Sequence, residues 1–369
     1  PYERPPLSKD VLAGKLPEEK LYLRSAEYYD EQRIELLLGA RAIRLDPGSR
    51  VVEIDDGSRV AYDQLLIATG ATPRRLEVPG AALDNIFYLR TLQEARSIAA
   101  AMRTARLVVV VGAGFIGAEV AASCRLAGLE VVLLEVLPVP LERALGPTIG
   151  HVYAEVHRSR GVELRTSEGV VGFEGNGHVE RVVGSSGTVY ECDFAVVGVG
   201  VVPECGWLIG SGVELGNGVV VDELCRTSVP GVFAAGDVAN WWHPTLGERL
   251  RLEHYDNAQF QGVAAAKSML GKGEPYAPVP FFWSDQYDLT LQYVGHGRGD
   301  DDVILRGSPD STSWSAFFLR NGTLRAALGV NRYKDISASR QLLAKQVPVT
   351  PEQLADESCD LRALARGRG

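Results

Sequence analysis

Hydrophobic and polar positions change rhythm several times along this chain of 369 residues. Between 41 and 70, short apolar runs in RAIRLDPGSRVVEIDDGSRVAYDQLLIATG are broken by Pro-Gly and Asp-Gly, which predicts strands joined by tight turns. In TLQEARSIAAAM (91–102), Leu92, Ala95, Ile98, Ala99 and Met102 fall on one helical stripe. The stretch LVVVVGAGFIGAEVAASCRLAGLEVVLLE (107–135) reads as strand, glycine turn, helix, strand. Its run Leu107 to Val111 is continuously apolar, as in a strand covered on both faces. Ala118, Ala121 and Ala122 allow the following helix to approach the sheet, and Gly128 suits that helix's C-terminal end. Short strands with glycine turns return over 162–199, and residues 256–271 read as a helix. GEPYAPVPF reads as a proline-rich linker. Beyond it, FFWSDQYDLTLQYVG, WSAFFLRNGTLRAALG and SASRQLLAKQ predict three antiparallel strands and then a helix. There is no tandem repeat, although LLIATG and AVVGVG echo each other as apolar strands carrying glycine.

Composition narrows the class. A hydrophobic content of 46% and a charged content of 23% are ordinary for a globular chain with room for two or three domains. A net charge of -9 argues against general nucleic-acid binding, which needs clustered bases to neutralise phosphate. The charge is uneven, however. Arg320, Arg325, Arg332, Lys334, Arg340 and Lys345 face only Asp335 within 320–345, a local balance of +5. That stretch reads first as a solvated surface and second as a docking patch for an acidic partner. The cysteines (Cys124, Cys192, Cys205, Cys225 and Cys359) are odd in number and never spaced CxxC. They read as small, mostly buried thiols in a reducing compartment. The six histidines lack metal-ligand spacing, so no metal site is expected. No signal peptide or long apolar span is evident, which predicts a cytoplasmic protein away from the membrane.

Gly112, Gly114 and Gly117 form GxGxxG between a strand and a helix. The first glycine permits the tight turn, the second lets a pyrophosphate approach the backbone, and the third allows helix to pack on strand. Phe115, Ile116 and, in AVVGVG, Gly198 are assigned to the same nucleotide. Glu135 ends the second strand 23 positions after Gly112, where an acid accepts hydrogen bonds from an adenosine ribose. A 2′-phosphate would be repelled there, and no base follows before Arg143, so NADH is favoured over NADPH.

VFAAGDVAN (232–240), LLIATGATPR (65–74), VVVVGAGFIGAEV and FFWSDQ (281–286) stand in an order that identifies a family resemblance. From residue 1 to about 365 the chain resembles the FAD-dependent NADH:ferredoxin reductases of bacterial oxygenase systems. The resemblance implies an α/β fold of two Rossmann-like dinucleotide-binding domains, for FAD and NAD, plus a small C-terminal α+β domain. The FAD domain would comprise 1–90 and 200–275, the NAD domain 91–199, and the C-terminal domain 276–369. In that family the segment like YERPPLSK follows a first βαβ unit of roughly 40 residues with its own GxGxxG for FAD. The sequence printed here lacks that unit, so residues 1–10 are expected to be a cut edge.

The resemblance also implies roles. Arg4 and Lys9 would lie beside the flavin, Lys9 near N5, and Glu119 would pair with Lys9. Asp237, with Gly236 beside it, would bind the ribityl chain. Ala42, Thr69, Gly70, Arg90, Tyr255 and Trp283 match further FAD positions, and Arg143 a base near the NADH adenosine. For Glu253 and His254, in RLEHYDN, a helix entry with a capping acid is preferred to a place near the nicotinamide. The CxxxxC of related disulfide reductases is missing from RPPLSKDVLAGKL. Electrons would therefore leave by the flavin edge. The expected function is an NADH-dependent reductase passing single electrons to a ferredoxin or similar iron–sulfur protein, docked on 320–345, with a homodimer left open. Alternatives are an NADH oxidase, quinone or nitrite-reductase-type flavoprotein of the same fold, or a non-catalytic NAD-binding fragment.

Overall fold

The computed structural model describes residues 1–367. They form two compact units: Pro1–Leu23 with Pro73–Gly200 and the chain from Phe282 onward, and Arg24–Thr72 with Val201–Phe281.

The first unit is organised by a five-stranded parallel sheet. Its order is Ile86–Tyr88, Phe194–Val197, Leu107–Val111, Glu130–Glu135 and Glu163–Thr166. Alternate residues of the central strand enter two different cores. Val108 and Val110 join Leu92, Ala95, Ile98, Val120, Ala121 and Cys124 on the helical side. Val109 and Val111 join Phe173, Val182 and Tyr190 from an antiparallel hairpin sheet (Val170–Glu174, Arg181–Gly184, Val189–Glu191). Both faces are covered, which is why this strand reads as an unbroken apolar run. The helix Leu92–Met102 begins at a capping box in which Thr91 and Glu94 satisfy each other's backbone N–H groups.

An 18-residue segment, Glu142–Ser159, is helical although its sequence reads as punctuation. Gly146 (φ +76°) and Pro147 break it into two helices across a kink. Leu145, Ile149 and Tyr153 fill a core with Leu291, Tyr293, Trp314 and Phe318 of the C-terminal sheet.

That C-terminal sheet corrects the expectation of three strands and one helix. Five strands run in the order Phe281–Gln286, Leu289–Gly295, Thr323–Val330, Trp314–Arg320 and Asp302–Arg306, followed by the helices Tyr333–Ala344, Pro351–Ala355 and Leu361–Ala365. A tight turn at Tyr287 (φ +59°) divides what reads as one strand into two. Asp302–Arg306 follows an acidic run that hides its strand character. Arg306, 4% exposed, donates to the carbonyls of Leu354, Asp356, Glu357 and Cys359 and so ties down the chain after Pro351.

The basic stretch is partly neutralised within the fold. Arg320 pairs with buried Asp301 (2.7 Å), and Arg332 with Asp335 and Glu357 (3.0 Å each). Lys345 Nζ donates to the Ala365 carbonyl (2.9 Å). Lys334 and Arg340 are exposed.

In the second unit, Ala42–Asp46, Val51–Ile54 and Arg59–Ala61 form the expected hairpins. Leu65–Ile67 pairs in parallel with Val232–Ala234. A four-stranded sheet, ordered Leu215–Gly216, Gly218–Val221, Ala239–His243 and Glu248–Leu250, shares a core around Trp241 with both. Helix Tyr255–Met269 follows. The proline-rich stretch after it is anchored, because Tyr276 is buried and its hydroxyl bonds the Asn257 side chain at 3.2 Å.

All five thiols are free, and burial pushes Cys124, Cys192 and Cys225 up to about 12, so they are unreactive. Among the described residues no helix is long and apolar enough to cross a membrane, and no group of three or more His, Cys, Asp or Glu residues is placed to hold a metal ion.

Candidate functional site

The glycine turn is built by close backbone contact. A Cβ at Gly117 would lie 1.9 Å from the Gly112 carbonyl oxygen, and one at Gly112 would lie 2.5 Å from that of Gly198. Gly112 also has φ +94°. These contacts bring the helix Phe115–Leu126 down on the sheet, with Gly114 as its N-cap. A Cβ at Gly114 would meet nothing within 4 Å, so the space before the helix N-terminus is open. An anion there would meet backbone N–H groups and the positive end of a 12-residue helix, as a dinucleotide pyrophosphate requires. The residues fit that group.

Around this turn, Phe115 meets Phe282 edge-on at 4.9 Å, Ile116 is 46% exposed, and Gly198 N donates to Val111 O. Arg143 is exposed near the start of the kinked helix. Glu135 is buried, and its carboxylate accepts from Ala113 N (2.7 Å) and Leu137 N (2.9 Å). It thereby holds the turn's own backbone. A carboxylate has about four acceptor sites, so two remain for a ribose.

On the same helix, one turn beyond Phe115, Glu119 is 3% exposed. Lys9, from the short 3-10 turn at Pro5–Ser8, places Nζ 2.7 Å from Glu119 Oε2. Ser8 Oγ donates to the same oxygen (2.5 Å), and Ser284 Oγ to Oε1 (2.6 Å). Lys9 Nζ also donates to the Pro5 carbonyl at 3.2 Å, and Ser123 Oγ to the Ser8 carbonyl at 2.8 Å, so the turn is fastened to the helix. A buried ion pair is tolerated when further hydrogen bonds satisfy its lone pairs, as here. Ser8 and Ser284 escaped the sequence reading. Serine in a loop or strand carries no periodic signal, and these two lie 111 and 165 positions from Glu119. Arg4 and Arg90 also belong to this unit, and Arg90 N donates to Glu94 Oε2 (3.0 Å). Trp283 is half-buried in the strand that carries Ser284.

In the second unit, Gly236 (φ +79°) turns the chain after strand Val232–Ala234 into the 3-10 turn Gly236–Val238. Gly236 N donates to Gln261 Oε1 (2.8 Å), and Asp237 O accepts from Arg251 (3.2 Å). Gln261 is fully buried, and its Nε2 has no protein partner. A buried amide donor without an acceptor is costly unless a bound group supplies one, so this corner fits an oxygen-rich cofactor such as FAD. Thr69 Oγ1 donates to the Glu204 carbonyl (2.6 Å), and Gly70 O accepts from Glu204 N (2.9 Å). Ala42 opens its strand, and Tyr255 opens the helix that carries Gln261. Glu253 is no capping acid. It pairs with Arg251 at 2.8 Å, and His254 is the N-cap without a side-chain cap bond.

The architecture and the glycine turn define a dinucleotide-binding oxidoreductase. Residues 1–262 match the family described as pyridine nucleotide-disulphide oxidoreductase, and residues 281–365 that described as reductase C-terminal. The chain belongs to the pyridine nucleotide-disulphide oxidoreductase family. It is 41% identical to rhodocoxin reductase of Rhodococcus erythropolis over 368 residues, covering 99% of this chain and 86% of that protein. It is 37% identical to putidaredoxin reductase of Pseudomonas putida over 371 residues, with 99% and 88% covered. A ferredoxin reductase structure from Rhodopseudomonas palustris superposes with a TM-score of 0.96 at 38% identity, covering 99% of this chain and 90% of that one. The covalent putidaredoxin reductase–putidaredoxin complex gives 0.96 at 36%, with 100% and 90% covered.

Proposed function

We propose that this chain is an NADH-dependent ferredoxin reductase with FAD as its prosthetic group and a small iron–sulfur protein as its electron acceptor. One observation carries the reading: the 12-residue helix that opens the dinucleotide turn also carries Glu119, which holds the Lys9 ammonium 2.7 Å away. The same rigid element thus orders the nucleotide turn and a positioned cation. When bound, FAD accepts a hydride equivalent from NADH and releases electrons singly.

The chain's own residues bind, orient and balance charge. Gly112, Gly114 and Gly117, with Phe115, Ile116 and Gly198, receive the NADH pyrophosphate; Glu135 and Arg143 address its adenosine. Lys9 offers a cation where reduced flavin gathers negative charge, and Glu119 keeps that cation oriented. Arg4, Arg90, Trp283, Ala42, Thr69, Gly70, Gly236, Asp237 and Tyr255 are assigned to flavin. The stretch RPPLSKDVLAGKL around Lys9 carries no CxxxxC, and Cys124 is a free, buried thiol. The names of the relatives, several of them reductase components of oxygenase systems, support a ferredoxin-type acceptor. The division into FAD (1–90, 200–275), NAD (91–199) and C-terminal (276–369) domains, and a cytoplasmic location, belong to the same reading.

Anaerobic addition of NADH to the FAD-loaded protein should bleach the visible flavin bands, and turnover should be faster with a ferredoxin than with oxygen or quinone. A flavin that NADH leaves oxidised would overturn the reading. Equal turnover with oxygen would move it to an NADH oxidase.

A further inference from the structure

Glu119 stands at one end of a longer hydrogen-bonded arrangement inside the first unit. Ser284 donates its hydroxyl proton to Glu119, so its oxygen is left to accept. The Gln286 amide supplies that bond, Nε2 to Ser284 Oγ at 3.2 Å. This turns Gln286 Oε1 toward His157 Nε2, 3.1 Å away. A carbonyl oxygen only accepts, so Nε2 carries the proton and Nδ1 is a lone pair. Tyr287 O–H lies 2.9 Å from Nδ1 and donates to it. Ser284, Gln286 and His157 are all buried. Burial lowers His157 to about 4, leaving the ring neutral, and raises the Tyr287 hydroxyl, leaving it protonated. The far end reaches the surface, where the Tyr287 ring faces the Arg160 guanidinium, itself ion-paired to exposed Asp288.

We propose that Ser284, Gln286, His157 and Tyr287 are positioning residues: a one-directional chain of donors, all aimed toward Glu119, that holds its carboxylate in place and thereby sets where the Lys9 ammonium stands. The inference rests on the role of Lys9 given above. An ionised carboxylate accepts only, and hydrogen bonds in series polarise one another, so the four residues add to the anion's stabilisation as a unit. The chain orients; it carries no proton. A primary amide in its middle passes on hydrogen-bond polarity but would have to become an imidic acid to relay a proton.

The direction is linked to charge. Were Glu119 neutral, its O–H would donate to Ser284, the Gln286 amide would turn over, and His157 would carry its proton on Nδ1. The tautomer of His157 therefore reports the ionisation of a carboxyl group three hydrogen bonds away. Two further observations follow for function. Loss of the Ser284 donor should slow flavin reduction by NADH on the order of fivefold, the usual net scale for one intramolecular hydrogen bond. That loss should nearly vanish where Glu119 is already replaced.

The experiment uses 15N-histidine NMR of the full chain, with His157→Gln to assign the resonance. Wild type should show neutral His157 in the Nε2–H form. Glu119→Gln should shift it toward Nδ1–H, and Lys9→Met, which removes the counter-ion, should move it the same way. In stopped-flow reduction, Ser284→Ala should cost on the order of fivefold in wild type and less than twofold in the Glu119→Gln background. An Nδ1–H tautomer in wild type, His157 resonances unmoved by both variants, or additive kinetics would each overturn the proposal. Failure of NADH to reduce the wild-type flavin would instead overturn the enzymatic reading, since the tautomer is measured without turnover.

Discussion

Lys9 Nζ stands 2.7 Å from Glu119 Oε2, and the carboxylate is 3% exposed against 16% for the lysine. The pair is therefore asymmetric: the anion is sealed inside, and the cation retains a path outward. Removing the cation strands a buried charge, whereas neutralising both members leaves only satisfied polar groups.

Lys9→Met should accordingly lower the rate of flavin reduction by roughly a hundredfold to a thousandfold, the scale seen when a donor at a developing charge is lost. It should also destabilise the protein by about 3 kcal/mol. The double variant Lys9→Met, Glu119→Gln should recover most of the stability and none of the rate. Denaturant unfolding beside stopped-flow reduction separates the two effects, and equal recovery of both would sink this account.

The glycine turn gives a contrasting pair. A Cβ at position 117 would sit 1.9 Å from a backbone oxygen that cannot move without parting helix from sheet. Gly117→Ala should cost more than about 2 kcal/mol and impair NADH binding together with the fold. At Gly114 the same methyl meets open space. Gly114→Ala should melt like wild type while raising the KM for NADH severalfold, because the methyl occupies the pyrophosphate's approach. Identical behaviour of the two variants would contradict the geometry.

A buried neutral histidine makes stability depend on pH. His157 is lowered from 6.5 to about 4 in the folded chain, chiefly by desolvation. As pH falls below 6.5 the unfolded chain takes up a proton that the folded one refuses. The stability is thus fully present above 6.5 and is lost toward pH 4, by on the order of 3 kcal/mol in all. Paired carboxylates such as Asp193, held low by the Leu107 and Arg106 backbone N–H groups, act at more acid pH. Urea midpoints should fall between pH 6.5 and 4.5, and His157→Gln should flatten that slope; an unchanged slope would reject the assignment.

Within the basic stretch, the arginines and Lys334 should separate. Arg320→Gln leaves Asp301, whose side chain is 1% exposed, without its counter-ion and should cost about 3 kcal/mol. Lys334→Glu lies on the exposed surface and should leave the melting temperature unchanged. If the stretch docks an acidic ferredoxin, Lys334→Glu should raise the KM for that partner and spare NADH-to-ferricyanide turnover. Parallel losses with both acceptors would remove Lys334 from docking.

The sequence by itself determined everything that depends on near neighbours. The apolar run 107–111, the glycines at 112, 114 and 117, and the Thr91–Glu94 cap each act within a few residues, so periodicity and turn chemistry specify them. Tertiary structure decided the rest. Helix Glu142–Ser159 forms despite Gly146 and Pro147 because its apolar face is buried against the C-terminal sheet. That burial outweighs local propensity. The turn at Tyr287 creates a strand boundary that no alternation marks. Lys9 and Glu119 were legible as candidates only through resemblance, and Ser8, Ser284, Gln286, His157 and Gln261 not at all. What makes them partners is distance in space across 110 to 165 positions of chain, or the lack of an acceptor in a closed interior. Hydrogen bonds and desolvation act through space, and only the folded chain sets which groups they join.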